Sequence, residues 1–249
     1  MDESRVLLGM RIDGTSYAAT SRQVCAWAAA QESGYVCAAN VHMVMECHDD
    51  EDFAAVVNQA RLVTPDGMPL VWSLRRLGLP DQQRVYGPTL MLHVCAEAER
   101  LGIPIGLYGG TTDCLDRLRL VLAERFPRLA IPYAFSPPFR AISSDEDEAI
   151  CAAIRASAVG LLFVGLGCPK QERWMAGHAA RLPVIQLGVG AAFAFHAGMV
   201  RQAPGWMQRS GLEWLFRLVV EPRRLWRRYV VNNPRFVVLA GLQILRHQK

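Results

Sequence analysis

Lysine is almost missing from these 249 residues: it stands at positions 170 and 249 only, and arginine carries the rest of the positive charge. Long apolar runs are missing too. The run "FVVLAGLQIL" from Phe236 to Leu245 is roughly half of the ~20 residues a spanning helix needs, so no membrane crossing is expected. The acidic start, MDESRVLLGM, leads into too short an apolar stretch for a signal peptide. The seven cysteines form no C-x-x-C pair, and the six histidines show no metal-ligand spacing. The thiols therefore read as small buried hydrophobes of a reducing cytoplasm, and neither a metal nor a cofactor is expected. No G-x-G-x-x-G, P-loop or G-x-S-x-G is present. That argues against the usual dinucleotide, nucleoside-triphosphate and serine-hydrolase sites.

What is present is a chain with 51% hydrophobic residues, enough for one large domain or one domain with an appendage. Its formal charge of +4 lies mostly after residue 200. Short apolar runs, "YVCAAN", "ARLVTPDG", "IPIGLYGG", "LAIPYAF", "VGLLFVGLG" and "PVIQLGVG", alternate with longer segments whose apolar residues recur every three to four positions. This predicts an α/β fold with a mainly parallel sheet covered by helices on both faces. Residues 1–200 form the expected α/β core, and residues 201–249 a helical, arginine-rich appendage.

Ligands of such folds bind at the carboxyl ends of the strands. Asn40, Asp66, Gly109, Gly110, Gly165, Gly167, Gly188 and Gly190 all fall at predicted strand ends. Asp66 lies between Pro65 and Gly67, where it has two readings: N-cap of the helix "GMPLVWSLRRLG", or general base. In "GLGCPKQERW" a glycine turn leads to Pro169 at a first helical position, with Lys170, Gln171 and Glu172 in the first turn. The N–H groups of such a start, beside a lysine, suit a phosphate, and an ordinary surface helix explains them equally well. The glycines of "LGVGAAF", Gly188 and Gly190, suit close backbone approach to a ligand or close helix packing, and "YGG", with Gly109 and Gly110, either holds a nucleotide or precedes a helix capped by the following threonines.

The acidic clusters Asp49 to Asp52 and Asp145 to Glu148 begin helical patterns, where carboxylates complement the helix dipole, so they read as caps rather than metal ligands. In the tail, ~100° per residue places Arg223, Arg224, Arg227 and Arg228 on one side of a helix, with Leu225, Trp226, Tyr229 and Val230 on the other. Such a helix either packs on a core or binds an anionic lipid surface. No recognition motif supports nucleic-acid binding.

In order along the chain, "AANVHMVM", "TPDGMPLVW", "RVYGPTLM", "LYGG", "GLGCPKQERWM", "GVGAAFAFHAG" and "APGWMQRSGLEWLFRLVVEPRRLWRRY" resemble the WecG/TagA/CpsF family of bacterial glycosyltransferases. The resemblance implies a Rossmann-like core and metal-independent, inverting transfer of a sugar from a UDP-sugar donor to a polyprenyl-diphosphate-linked acceptor. It places the protein on the inner face of the cell membrane. It makes Asp66 the general base and puts Asn40, Arg84 and Gln171 in the pocket. It assigns Arg217, Arg223, Arg224, Arg227 and Arg228 to the acceptor diphosphate or the membrane, in an appendage whose removal should abolish transfer and spare the core. The "N-V-H-M" block is closer to exopolysaccharide glucosyltransferases than to N-acetylmannosamine enzymes. Ala38 and Ala194 replace a threonine and an aspartate common among relatives, which bears on sugar or acceptor contacts. Homo-oligomerisation is compatible with the sequence. The alternative reading is a nucleotide-dependent oxidoreductase on the same core, but the ribose-binding acidic residue expected about twenty positions after a first glycine turn is missing.

Overall fold

The computed structural model describes residues 3–247, apart from the Arg224 side chain. In chain order the elements are β1 (Ser4–Leu7), β2 (Met10–Asp13), α1 (Tyr17–Ala29), β3 (Gly34–Ala39), α2 (Val41–Asp49), α3 (Glu51–Asn58) and β4 (Leu62–Pro65). They continue as α4 (Met68–Arg76), α5 (Gly87–Leu101), β5 (Ile105–Gly109), α6 (Thr112–Arg125), β6 (Tyr133–Phe135), α7 (Ser144–Ala156), β7 (Leu161–Gly165) and α8 (Lys170–His178). The last are β8 (Ile185–Gly188), α9 (Ala192–His196), α10 (Gly205–Arg209), α11 (Glu213–Val220) and α12 (Pro222–His247). Six strands form one sheet in the order β4-β3-β8-β7-β5-β6, and the pairings β3–β8, β8–β7, β7–β5 and β5–β6 are parallel. All six apolar runs that predict strands are strands.

The chain divides into two compact units. One comprises residues 17–37 and 87–200 and holds β5 to β8 with most of β3. Strands β5 and β7 carry no polar side chain but that of Tyr108, because helices cover both faces: every residue of β5, and Leu161 to Val164 of β7, is buried. The other comprises residues 1–16, 38–86 and 201–249. It holds β4, the antiparallel hairpin β1–β2, and helices α2 to α4 and α10 to α12.

Within this second unit α12 is a core element. Leu225, Phe236 and Ala240 are buried along one side of it. Near its end, Gln243 Oε1 accepts from Leu8 N at 2.9 Å and its Nε2 donates to Val6 O at 2.7 Å. Trp226, Val230 and Val237 remain exposed, as do Arg223 and Arg227. The sequence-derived division of this helix into a basic and an apolar side is therefore corrected. Leu225 turns inward, Trp226 and Val230 turn outward, and Arg228 is half-buried rather than grouped with Arg227. The 26-residue α12 is not apolar enough to span a bilayer, and among the described residues no helix is long and apolar enough to do so.

Candidate functional site

Asp66 follows the last residue of β4, and its main-chain N–H donates to Ala39 O at 2.8 Å, as does that of Gly67 at 3.2 Å. The N-cap of α4 is Gly67, with no side-chain cap hydrogen bond. Asp66 is therefore not the N-cap residue of that helix. Its side chain meets Arg84, from the extended segment whose Val85 N donates to Pro65 O at 2.9 Å. Arg84 Nε donates to the main-chain oxygen of Asp66, and Nη2 lies 3.2 Å from Asp66 Oδ1 and 2.6 Å from Glu213 Oε2 at the start of α11. The three side chains are about equally enclosed, at 14–15% exposure.

Burial works against the charge on Arg84, but Asp66 and Glu213 outweigh it and hold the guanidinium protonated. The guanidinium lies 4.1 Å over the ring of Tyr86. Burial, together with the carboxylates of Glu213 and Asp66, pushes the Tyr86 phenol far above its ordinary value, and Tyr86 is hydrogen-bonded to Glu213. Two carboxylates thus share one guanidinium beside a strand end.

Asn40 follows β3 and caps α2, its Oδ1 accepting from His42 N at 3.1 Å and Met43 N at 3.3 Å. Arg228 Nη2 reaches the same oxygen at 3.4 Å, and Asn232 Nδ2 lies 3.2 Å from His42 Nδ1. Arg217 approaches Glu221 at 3.8 Å within α11 and the turn that follows it. In this unit, then, Asp66, Arg84 and Glu213 form one side-chain cluster, and Asn40 and Arg228 form another.

The other unit contains the glycine turns. Gln171 is buried, and its Oε1 accepts from Gly167 N and Gly190 N, each at 3.1 Å, while Nε2 donates to Glu172 Oε1 at 2.7 Å. Gln171 therefore ties the turn after β7 to the turn after β8. A side chain at Gly188 would meet Met175 Cε at 2.8 Å, and one at Gly109, where φ is +120°, would meet the Gly165 backbone at 2.7 Å. Close packing accounts for these glycines. Gly110, at φ +70°, leads into Thr111, whose hydroxyl caps α6 by accepting from Cys114 N at 3.2 Å. Pro169 is the cap of α8 rather than its first helical residue, and Lys170 is exposed at the start of that helix.

Replacing Gln171 with alanine should leave two N–H groups and one carboxylate oxygen without their partner. The two N–H groups are part-buried and the carboxylate oxygen is buried, and at about 1–3 kcal/mol for the buried one the melting temperature should fall by several degrees. An unchanged melting curve would show that the turns hold without it.

Both acidic clusters serve helix starts. Asp50 caps α3, and Ser143 with Glu146 forms a capping box on α7. Among the described residues, Asp147, Cys151 and His178 bring three ligand atoms within 4.8 Å of one another. Arg181 Nη1 already sits 2.5 Å from Asp147 Oδ2 and 3.4 Å from His178 Nε2, and burial raises the Cys151 thiol away from the thiolate a metal requires. The donor set does not fit a metal ion. His178 instead closes a stack with Trp174 and Tyr108, at 4.1 and 4.2 Å between ring centres.

Sequence reasoning passes over Glu213 and Tyr86. Tyr86 was signalled by the R-x-Y spacing, which places both side chains on one side of an extended segment. Glu213, 129 residues from Arg84, had no local signal.

A family model described as "Glycosyl transferase WecG/TagA/CpsF family" matches residues 5–249. Among characterised relatives, an N-acetylglucosaminyldiphosphoundecaprenol N-acetyl-beta-D-mannosaminyltransferase of Staphylococcus aureus (strain NCTC 8325 / PS 47) is 25% identical over 224 residues, 89% of this chain and 86% of its own length. A protein of the same name from Bacillus spizizenii (strain ATCC 23059 / NRRL B-14472 / W23) is 26% identical over 219 residues, 88% and 81% of the two chains. The oxidoreductase alternative finds no support in these relatives. A match that runs from β1 to the end of α12, over a parallel α/β sheet, means that the chain belongs to the WecG/TagA/CpsF family of glycosyl transferases.

Proposed function

We propose that this glycosyl transferase moves a sugar from a UDP-sugar to a polyprenyl-diphosphate-linked saccharide, with inversion, without a metal, and at the inner face of the cell membrane. The observation that carries the reading is the carboxylate of Asp66, set at the end of β4 and held beside a half-buried guanidinium. The acceptor class follows from the names of the relatives, both of which act on a diphosphoundecaprenol saccharide.

In the proposed step an acceptor hydroxyl attacks the anomeric carbon and its proton passes to Asp66. The bond from that carbon to the donor diphosphate breaks, and UDP leaves with the electron pair. Arg84 offers fixed positive charge for the diphosphate, which replaces a metal in stabilising the leaving group. Asn40 orients substrate, and the arginines of α11 and α12 serve the lipid diphosphate. The donor sugar is glucose, as the "N-V-H-M" block suggests, or N-acetylmannosamine, as the names of the relatives suggest.

A panel of UDP-sugars with a short-chain polyprenyl-diphosphate saccharide should give UDP release and a new glycolipid in excess EDTA. No product with any pair would contradict the proposed substrates. Loss of product in EDTA, restored by Mg²⁺ or Mn²⁺, would contradict metal independence.

The exposed Trp226, Val230 and Val237 beside Arg223 and Arg227 suit the boundary of an anionic bilayer. At ~1 kcal/mol for each arginine near the surface, the chain should sediment with anionic vesicles and detach as salt rises. Equal binding to neutral vesicles, or no dependence on salt, would oppose that role.

A further inference from the structure

Resting on that reading of Asp66 and Arg84, we propose that Glu213 is a positioning residue which fixes the Arg84 guanidinium so that its Nη1 edge is presented to the donor diphosphate. A guanidinium has five N–H groups. Nε donates to the Asp66 main-chain oxygen, and Nη2 is divided between Glu213 Oε2 at 2.6 Å and Asp66 Oδ1 at 3.2 Å. Three of the five are then engaged. Among the described residues the two on Nη1 have no acceptor, and they form a pair on one nitrogen.

The distances decide which carboxylate governs Nη2. The shorter, charge-assisted bond is to Glu213, and the longer is to Asp66. Without Glu213 the same nitrogen has only Asp66 to bond. The guanidinium would then close on Asp66 as a full ion pair, which opposes proton uptake by that carboxylate and turns the fork away from its present orientation. Glu213 is itself fixed: it lies at the start of α11, where the helix dipole favours a carboxylate, and it is hydrogen-bonded to Tyr86, the ring over which Arg84 lies. The segment beyond residue 200 thus supplies a half-buried carboxylate to the site as well as arginines.

A mutant cycle on the full-length chain tests this. Glu213→Ala should lower kcat ~10-fold or more with KM for the UDP-sugar changed less than ~3-fold, and Glu213→Gln, which keeps an acceptor oxygen but no charge, should fall between it and the parent. In an Arg84→Ala background, adding Glu213→Ala should change kcat by less than ~2-fold, because the residue through which it acts is gone. A Glu213→Ala loss that persists undiminished in that background would overturn the proposal, as would normal kcat in Glu213→Ala. Should Glu213→Ala not fold, the Glu213→Gln arms of the same cycle decide by the same criteria. The two readings separate cleanly. Normal turnover in Arg84→Ala removes the diphosphate role on which the proposal rests, whereas impaired Arg84→Ala with normal Glu213→Ala removes the role of Glu213 alone.

Discussion

Asp66→Asn should lower turnover by ~10²-fold or more while UDP affinity stays within about twofold. Asparagine keeps the size and the acceptor oxygen that Arg84 Nη2 meets at 3.2 Å, so the local architecture has little reason to move. What it loses is the capacity to take a proton from the acceptor hydroxyl. The main-chain bonds from residues 66 and 67 to Ala39 O do not involve the side chain, so the turn itself should persist. Substitution also removes one of the two negative charges that share Arg84, and this should favour an incoming diphosphate rather than hinder it. Preserved UDP binding with lost turnover is therefore the expected pattern. Near-normal turnover would remove Asp66 from the chemistry, and loss of UDP binding in step with turnover would make it a structural residue.

Deleting residues 201–249 should abolish transfer and also unfold the unit to which they belong. The sequence-based expectation that such a truncation spares the core gives way here, because Leu225 and Phe236 are buried and each contributes roughly 1.5–3 kcal/mol. The deletion also removes the Gln243 bonds to Val6 and Leu8 and the Glu213 bond to Arg84. Together these are a large part of the ~5–15 kcal/mol by which a domain is stable. The unit of residues 17–37 and 87–200 contains none of the deleted segment, so its secondary structure should outlast the loss. Circular dichroism melting of the truncated chain should show a lower first transition. The single change Leu225→Ala should alone cost about 2–5 kcal/mol. A truncated chain that melts like the full-length one would show that α12 packs too loosely to matter.

The parallel strands were legible because strands buried on both faces must be apolar along their whole length, and that leaves short continuous runs in the sequence. The hairpin β1–β2 was not. Its turn is Leu8–Gly9, with φ of +51° and +89°, a pair that usually calls for Asn or Asp before the glycine. A leucine there hides the turn. Asp66 was legible as a strand-end carboxylate, but only the structure separates a cap at Gly67 from a side chain given to Arg84. Arg228 illustrates the reverse failure. Angular spacing alone sorts residues around a helix, whereas the direction in which that helix faces its unit depends on contacts distant in sequence, such as Arg228 with Asn40.

The measurement that bears most directly on a single-base displacement is the anomeric configuration of the transferred sugar, read by NMR on the glycolipid product and compared with that of the UDP-sugar donor. One carboxylate acting on the acceptor hydroxyl, with departure of UDP from the opposite side, predicts inversion. Retention of configuration would require a second nucleophile on the sugar and would contradict the role assigned to Asp66.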